Sequence, residues 1–178
     1  DLLNGETPVS ASDVKQAGYV SLLRPKREYV VPRPLEIAEI QTIVEQYKQS
    51  AIRAKAAGFD GVELHAANGY LIDQFLQSST NQREDSYGGS VENRARFLLE
   101  VVDALIEVWG AGRVGVHLAP RGDEHDMGDA NPKETFGYVM QELGQRHIAF
   151  FFTREYIDAA SISLDMKARS NGVPYIAN

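Results

Sequence analysis

Residues 58–71, GFDGVELHAANGYL, decide the class of fold because they join the end of a helix to a buried strand. Gly58 closes a segment whose apolar residues recur at intervals of three and four, which is the spacing of one helix face. In the alternating run that follows, Val62 and Leu64 face one side of a strand and His65 faces the other. A helix that passes directly into a strand is the repeating unit of parallel sheets.

The same alternation of helix and strand continues to the end of the chain. Helical periodicity begins near residues 37, 91, 132 and 160, with Ser90 and Asn131 as predicted N-caps. The predicted strands are 60–65, 113–120, 147–153 and 173–178. Strands separated by helices pair in parallel, so the predicted fold class is α/β.

No shift in composition marks a domain boundary, and residues 1–178 are therefore predicted to form a single domain. Residues 1–35 carry prolines and turn residues without a sustained period, which predicts an irregular excursion. Residues 36–178 are predicted to form the βα units.

The composition is that of an ordinary globular domain, with 43% hydrophobic and 24% charged residues among 178. Because the chain has no cysteine, it has no disulfide, no thiolate metal site and no cysteine nucleophile, and redox chemistry would need a bound cofactor. A net charge of -7 argues against a nucleic-acid partner. The sequence shows neither a run of about 18 apolar residues nor a charged leader, from which we expect no membrane partner and a cytoplasmic location.

Two of the predicted strands place a histidine near their carboxyl ends. His65 and His117 each share a strand face with small or polar residues, while valine and leucine point to the other face. Parallel strands are buried on both faces, so a polar side chain there needs a reason. Either the histidines are hydrogen-bonded core residues, or they belong to a site at the carboxyl ends of the strands, where the catalytic groups of β/α barrels collect.

Two segments carry a specific resemblance to a known family. ELHAANGYL (residues 63–71) and FLQSSTNQREDSYGGSVENRARF (residues 75–97) resemble the old yellow enzyme family of FMN-dependent ene-reductases. NGETPVSAS, PRPLE, GDEHDM and PYIAN also look like segments of that family, in the family's order, so the resemblance covers essentially all 178 residues. It implies a β/α barrel with FMN at its C-terminal mouth. It also implies that NAD(P)H reduces the flavin, which then passes a hydride to an alkene conjugated to a carbonyl or nitro group.

The resemblance assigns roles to three residues at the end of the first predicted strand. His65 and Asn68 match the pair that binds the substrate and donates hydrogen bonds to its carbonyl oxygen. Tyr70 matches the residue that protonates the α-carbon. These are the predicted catalytic residues, and the expected partner is a small enone or nitro compound.

Two loops are predicted to take no part in binding. In the loop 81–89 the family pattern pairs Arg83 with Asp85 and uses glycines for a tight turn, which indicates a structural role. His125 and Asp126 have no third ligand at a useful spacing, so no metal site is predicted and their loop is expected to be solvated.

The chain departs from the family pattern in two respects. A β/α barrel has eight strands in about 250 residues, whereas the strands predicted here correspond to about strands 4 to 7. The prediction is therefore a partial TIM (β/α)8 barrel. The second departure is His117, the predicted cofactor-binding residue, which stands where the family has an arginine beside the flavin. A histidine has a shorter reach than arginine and is not a permanent cation.

Three hypotheses of function are open on the sequence alone. The chain is part of an FMN-dependent ene-reductase whose chemistry belongs to a full barrel, or a half-barrel that associates with itself without catalysis, or a degenerate relative that only binds a partner. Four parallel strands leave two unpaired edges and an apolar face, so we expect the chain alone to form dimers or higher oligomers.

Overall fold

The computed structural model describes residues 4–20, 23–122, 124–155 and 160–178. The strands are β1 (Val9–Ser10), β2 (Arg33–Pro34), β3 (Val62–Ala66), β4 (Val114–Leu118), β5 (Phe150–Thr153) and β6 (Tyr175–Ala177). The helices are α1 (Ile37–Ala56), α2 (Leu71–Leu76), α3 (Val91–Trp109), α4 (Pro132–Gln145) and α5 (Ser163–Arg169).

The four later strands form one parallel sheet in the order β3-β4-β5-β6. His65 lies opposite His117, His117 opposite Phe152, and Phe152 opposite Ile176, so that one row of side chains crosses the sheet. Each strand is joined to the next through at least one helix, which is the connection that parallel pairing requires. The predicted α/β class and the four-stranded parallel sheet are confirmed.

Local sequence signals explain where the main helices begin. Glu36 starts α1 with a capping box. The Ser90 side chain accepts a hydrogen bond from a backbone N–H in the first turn of α3. Asn131 does the same for α4, whose first residue is Pro132. Both predicted N-caps are confirmed.

The helices cover one face of the sheet, and the hydrophobic core lies between the two layers. Helix α3 packs against α1, α2, α4, β3 and β4, and α4 packs against α5. On this side of the sheet Leu64, Val116 and Phe151 are buried, in one cluster with Phe97 and Phe136 from the helices. Burying each such side chain contributes about 2 kcal/mol, so this face supplies most of the hydrophobic stabilisation.

The opposite face of the sheet is open. Phe150 and Phe152 are only partly buried there, Ile176 is 48% exposed, and His65 is exposed. Gly115 lies beneath the Phe150 ring, which occupies the place that a Cβ atom would take. Within the described ranges β3 and β6 each pair on one side only. In a closed β/α barrel the corresponding face is the barrel interior, filled by side chains from further strands.

The structure differs from the prediction in its short elements. Residues 1–3 and 21–22 of the predicted excursion lie outside the described ranges, and within the rest β1 pairs with β2 in parallel. Strands of two residues show no period, and their partners are distant in sequence, so no local pattern reveals them. Helix α2 has only six residues, too few for a helical period, and is absent from the predicted elements.

We expect the 178-residue chain to associate with itself through the open face of its sheet, because water is in contact with apolar side chains and with unpaired strand edges there. Ile176→Lys should weaken the association by placing a charge on β6. Ile52→Lys is a matched control, because Ile52 is 42% exposed on α1, away from this face. Sedimentation velocity over micromolar concentrations measures the effect. A stable monomer for the unchanged chain would contradict the expectation.

Candidate active site

Two histidines lie side by side at the carboxyl ends of β3 and β4. The ring centroids of His65 and His117 are 4.8 Å apart, in an edge-to-face arrangement. Phe152 of β5 contacts the other side of His117, with its centroid 4.5 Å away. His65 is exposed, whereas His117 is only 9% exposed. The parallel register therefore brings together two residues that the sequence places on separate strands.

The environment of His117 favours the neutral imidazole. Burial, followed by electrostatic interactions with His65 and Arg154, lowers the pKa of His117 from 6.5 to about 4. At neutral pH His117 therefore carries no charge. Its Nε2 atom is buried and has no hydrogen-bond partner among the described residues. Such a buried atom is available for a hydrogen bond to a water molecule or to a ligand atom.

The turn after β3 carries the other two predicted residues. Asn68 has a φ of 56° and Gly69 a φ of 77°, so the chain reverses through the left-handed region before α2 begins. The Tyr70 ring is 59% exposed and lies 5.2 Å from the His65 ring, measured between centroids. Asn68 is partly buried, and its Oδ1 atom has no hydrogen-bond partner in the described part of the chain. His65, Asn68 and Tyr70 thus stand at the same end of the sheet.

Two side chains of helix α2 hold this turn through hydrogen bonds to its backbone. The buried Asp73 carboxylate accepts a hydrogen bond from the Gly69 N–H at 2.9 Å. The Gln74 side chain donates to the Gly69 carbonyl at 2.7 Å and accepts from the Ser10 hydroxyl at 2.8 Å. Burial raises the pKa of Asp73 to about 6. Asp73 and Gln74 are absent from the predicted site. The one signal for Asp73 is that an acidic residue is favoured in the first turn of a helix, but α2 is too short to be recognised from the sequence.

The loop 81–89 has the structural role that the sequence predicts. Arg83 donates to both carboxylate oxygens of Asp85, at 3.0 and 2.6 Å, and to the Ala11 carbonyl at 2.8 Å. The Asn81 amide donates to two backbone carbonyls. Gly88 packs against the Arg83 carbonyl so closely that a Cβ atom would overlap it. These contacts fasten the loop to the excursion that also supplies Ser10.

His125 and Asp126 are exposed, as predicted for a solvated loop, and their side chains also contact distant parts of the chain. Of this loop, Asp123 lies outside the described residues. The Nδ1 atom of His125 is 2.8 Å from the Asn68 carbonyl oxygen. The Asp126 carboxylate accepts a hydrogen bond from the Ala17 N–H at 2.5 Å. The sequence does not predict these two contacts, because both partners are distant in sequence and become neighbours only when the sheet and the excursion have folded.

Two other kinds of site are not found in the described part of the chain. No three of its histidine, aspartate and glutamate side chains are grouped as a metal site would require. None of its helices is long and apolar enough to cross a membrane.

A parallel sheet covered by helices on one face, with polar side chains at the carboxyl ends of its strands, has the architecture of about half of a β/α barrel, a fold whose catalytic groups collect at that end. The chain belongs to the NADH:flavin oxidoreductase / NADH oxidase family, whose sequence model matches residues 3–170. This confirms the predicted family, and the solved structures described next confirm the partial barrel.

The old yellow enzyme homologue from Zymomonas mobilis superimposes with a TM-score of 0.92 at 36% identity, over 99% of this chain and 52% of that one. Morphinone reductase in complex with tetrahydroNAD gives 0.88 at 41% identity, over 98% of this chain and 50% of that one. The chain therefore spans about half the length of both solved structures.

Curated relatives match over a similar part of this chain. The "Probable flavin mononucleotide-dependent alkene reductase" of Leishmania infantum is 46% identical over 142 residues, which is 80% of this chain and 39% of the relative. The 12-oxophytodienoate reductase 7 of Oryza sativa subsp. japonica is 48% identical over 143 residues, or 79% of this chain and 36% of the relative. The chain covers well under half of the length of each.

We expect the His117 ring to titrate with a midpoint near pH 4. The folded state holds the neutral ring, so His117 contributes stability above pH 6.5, and this contribution is lost as the pH falls towards 4. Asp73, whose pKa is raised from 3.8 to about 6, has the opposite effect on stability between those values. An NMR titration of the imidazole signals separates the two. A midpoint above pH 6 for His117 would contradict its placement.

Proposed function

We propose that this chain supplies the substrate-recognising half of an FMN-dependent ene-reductase, which uses NAD(P)H to reduce activated C=C bonds of α,β-unsaturated carbonyl or nitro compounds. The observation that carries the proposal is the convergence of His65, Asn68 and Tyr70 on one open mouth, beside a neutral His117. The printed names of the relatives, which include an alkene reductase and 12-oxophytodienoate reductases, support it. A cytoplasmic location remains a prediction.

The chain's own residues fit a flavin ring in one respect. The buried Nε2 atom of His117 lacks a partner among the described residues and is suited to a hydrogen bond with the polar edge of a flat heteroaromatic ring. FMN, when bound, supplies the hydride that the alkene accepts. Because His117 is neutral at pH 7, it offers this ring a hydrogen bond rather than a charge. In such barrels the phosphate is bound by the loops that follow the last two strands.

His65 and Asn68 are suited to binding the substrate's carbonyl or nitro oxygen. Each side chain has N–H groups, and both residues lie at the mouth, where His65 is exposed and Asn68 partly buried. Negative charge develops on this oxygen as the β-carbon accepts the hydride. Fixed donors that meet this charge stabilise the transition state more than the substrate, and one such donor is worth roughly 3 kcal/mol.

Tyr70 is suited to delivering the proton. Its ring is exposed at the mouth and lies edge-on to His65, at 5.2 Å between centroids. A tyrosine hydroxyl keeps its proton at neutral pH and can pass it to the α-carbon of an enolate-like intermediate. His65 at the end of β3 and Asn68 and Tyr70 on the turn that follows it thus stand within six residues of chain.

A second candidate function has one observation in its favour. The inner face of the sheet exposes apolar side chains along β6 and part of β5, and such a face is also what a half-barrel needs in order to associate without catalysis. In that case the mouth residues bind no flavin and the chain serves as a structural or binding partner.

The proposal is tested in a chimeric barrel, in which residues 4–178 of this chain replace the matching segment of the Zymomonas mobilis homologue. We expect His65→Ala to slow the reoxidation of reduced flavin by 2-cyclohexenone about 100-fold, since the lost donor acts on charge that only this half-reaction creates. Reduction of the flavin by NADPH should change far less. Stopped-flow absorbance measures both half-reactions.

Tyr70→Phe is the companion variant. It should slow turnover of cyclohexenone, which needs an α-proton, more than turnover of a nitroalkene, whose nitronate product can leave and take its proton from water. Equal losses in both half-reactions for His65→Ala, or equal losses with both substrates for Tyr70→Phe, would refute these assignments.

The 178-residue chain without its barrel complement should bind FMN with a dissociation constant well above micromolar. A few hydrogen bonds of roughly 1 kcal/mol each provide less binding free energy than contacts to a charged phosphate. They must also offset the entropy that is lost when the ligand is immobilised. His117→Arg should recover part of the affinity by adding a permanent cation, and Gln49→Arg on the exposed side of α1 should recover none. Fluorescence titration with FMN measures this. Stoichiometric FMN retained through gel filtration would show the expectation to be wrong.

A further inference from the structure

His125 contacts the backbone of the turn that carries the predicted substrate-binding residues. Its Nδ1 atom is 2.8 Å from the Asn68 carbonyl oxygen. A carbonyl oxygen can only accept, so Nδ1 carries the hydrogen and donates it. Asn68 is in the left-handed region, with a φ of 56°, which asparagine adopts more readily than other non-glycine residues and which contacts with its surroundings stabilise. The histidine supplies one of the fixing contacts.

The same side chain borders the two residues that follow. A Cβ atom on Gly69 would come within 2.8 Å of the His125 Cβ, so the backbone of the turn passes directly against His125. The Tyr70 and His125 rings stand edge to face with their centroids 6.2 Å apart. His125 therefore contacts or borders Asn68, Gly69 and Tyr70 in succession.

The loop that carries His125 is itself anchored to other parts of the chain. Asp126 accepts a hydrogen bond from the Ala17 N–H, and Ser79 donates its backbone N–H to the Gly128 carbonyl at 3.0 Å. Met127 is 6% exposed. Because these contacts do not involve the turn, they hold the loop in place independently, and His125 projects from a fixed support.

We propose that His125 is a positioning residue of the substrate site: by holding the Asn68 carbonyl, it sets the direction of the Asn68 amide and of the Tyr70 ring relative to His65. His125 itself does not touch the reacting atoms. The consequence for catalysis rests on the proposed function, whereas the effect on the turn does not.

The first test is amide hydrogen exchange in the 178-residue chain. His125→Ala removes the donor, and exchange at Gly69 and Tyr70 should become about five- to tenfold faster. His125→Asn restores a side-chain N–H close to the place of Nδ1 and should return exchange to within about twofold of the unchanged chain. His147→Ala is the matched control. His125 and His147 are both exposed and both have a positive φ, of 62° and 53°, but His147 lies after α4.

The amides of Val114–Leu118 report on general loosening and should exchange at the same rate in all variants. Unchanged exchange at Gly69 and Tyr70 in His125→Ala would overturn the proposal. It would also be overturned if His125→Asn exchanged as fast as His125→Ala, or if the strand amides accelerated together with the turn.

The second test uses steady-state kinetics in the chimeric barrel with 2-cyclohexenone. His125→Ala should lower kcat/KM about tenfold through both a higher KM and a lower kcat, with recovery in His125→Asn, because misplaced donors bind and stabilise less well. If the 178-residue chain shows the expected exchange pattern but the chimera has no ene-reductase activity, the proposed function is overturned while the contact between His125 and Asn68 is supported. If His125→Ala leaves kcat and KM of the chimera unchanged, the positioning role is overturned.

Discussion

The parallel pairing of β3 with β4, in the register that sets His65 opposite His117, is the constraint on which the rest of the structure depends. It brings the carboxyl ends of both strands to one edge of the sheet, and the loops that follow them meet there. A shift of one residue in either strand would turn its histidine towards the helix layer and expose its valines and leucines. The burial of Leu64 and Val116 beneath α3 therefore fixes the position of the site as well as the stability of the sheet.

The two faces of the sheet differ in how their side chains are covered. The helix-covered face is packed with fully buried aliphatic and aromatic side chains, which makes it rigid enough to support a site. On the inner face Phe152 packs beside His117, but within the described ranges no second layer covers this face. The burial of the inner face therefore depends on further strands or on a partner. The neutral state of His117 follows from this arrangement, since the ring is shielded by its neighbours and lies close to Arg154. A neutral hydrogen-bonding ring then stands where the resemblance predicts a cation.

Much of the fold could be predicted from the sequence because its signals are local. The period of α1 and α3, the caps at Ser90 and Asn131, and the alternation around His65 and His117 are each contained within one segment. The position of each histidine near the carboxyl end of its strand followed from this alternation, whereas the register that sets them opposite each other is seen only in the structure. The roles of Asn68 and Tyr70 came from the resemblance, not from any periodic pattern.

The supporting contacts of the site could not be predicted in the same way. His125 meets Asn68 across 57 residues of sequence and Ser10 meets Gln74 across 64. Such contacts depend on the path of irregular loops, for which the sequence has no period. Asp73 lies in a helix too short to show one, although its buried carboxylate holds the turn on which the proposed chemistry depends.

The proposed substrate site is tested most directly by a crystal structure of the chimeric barrel with bound 2-cyclohexenone. We expect the ligand's carbonyl oxygen to lie within hydrogen-bond distance of both the His65 ring and the Asn68 amide, with the Tyr70 hydroxyl on the side of the α-carbon. A ligand whose oxygen points away from His65 and Asn68, in a site where both side chains keep the positions described above, would contradict it.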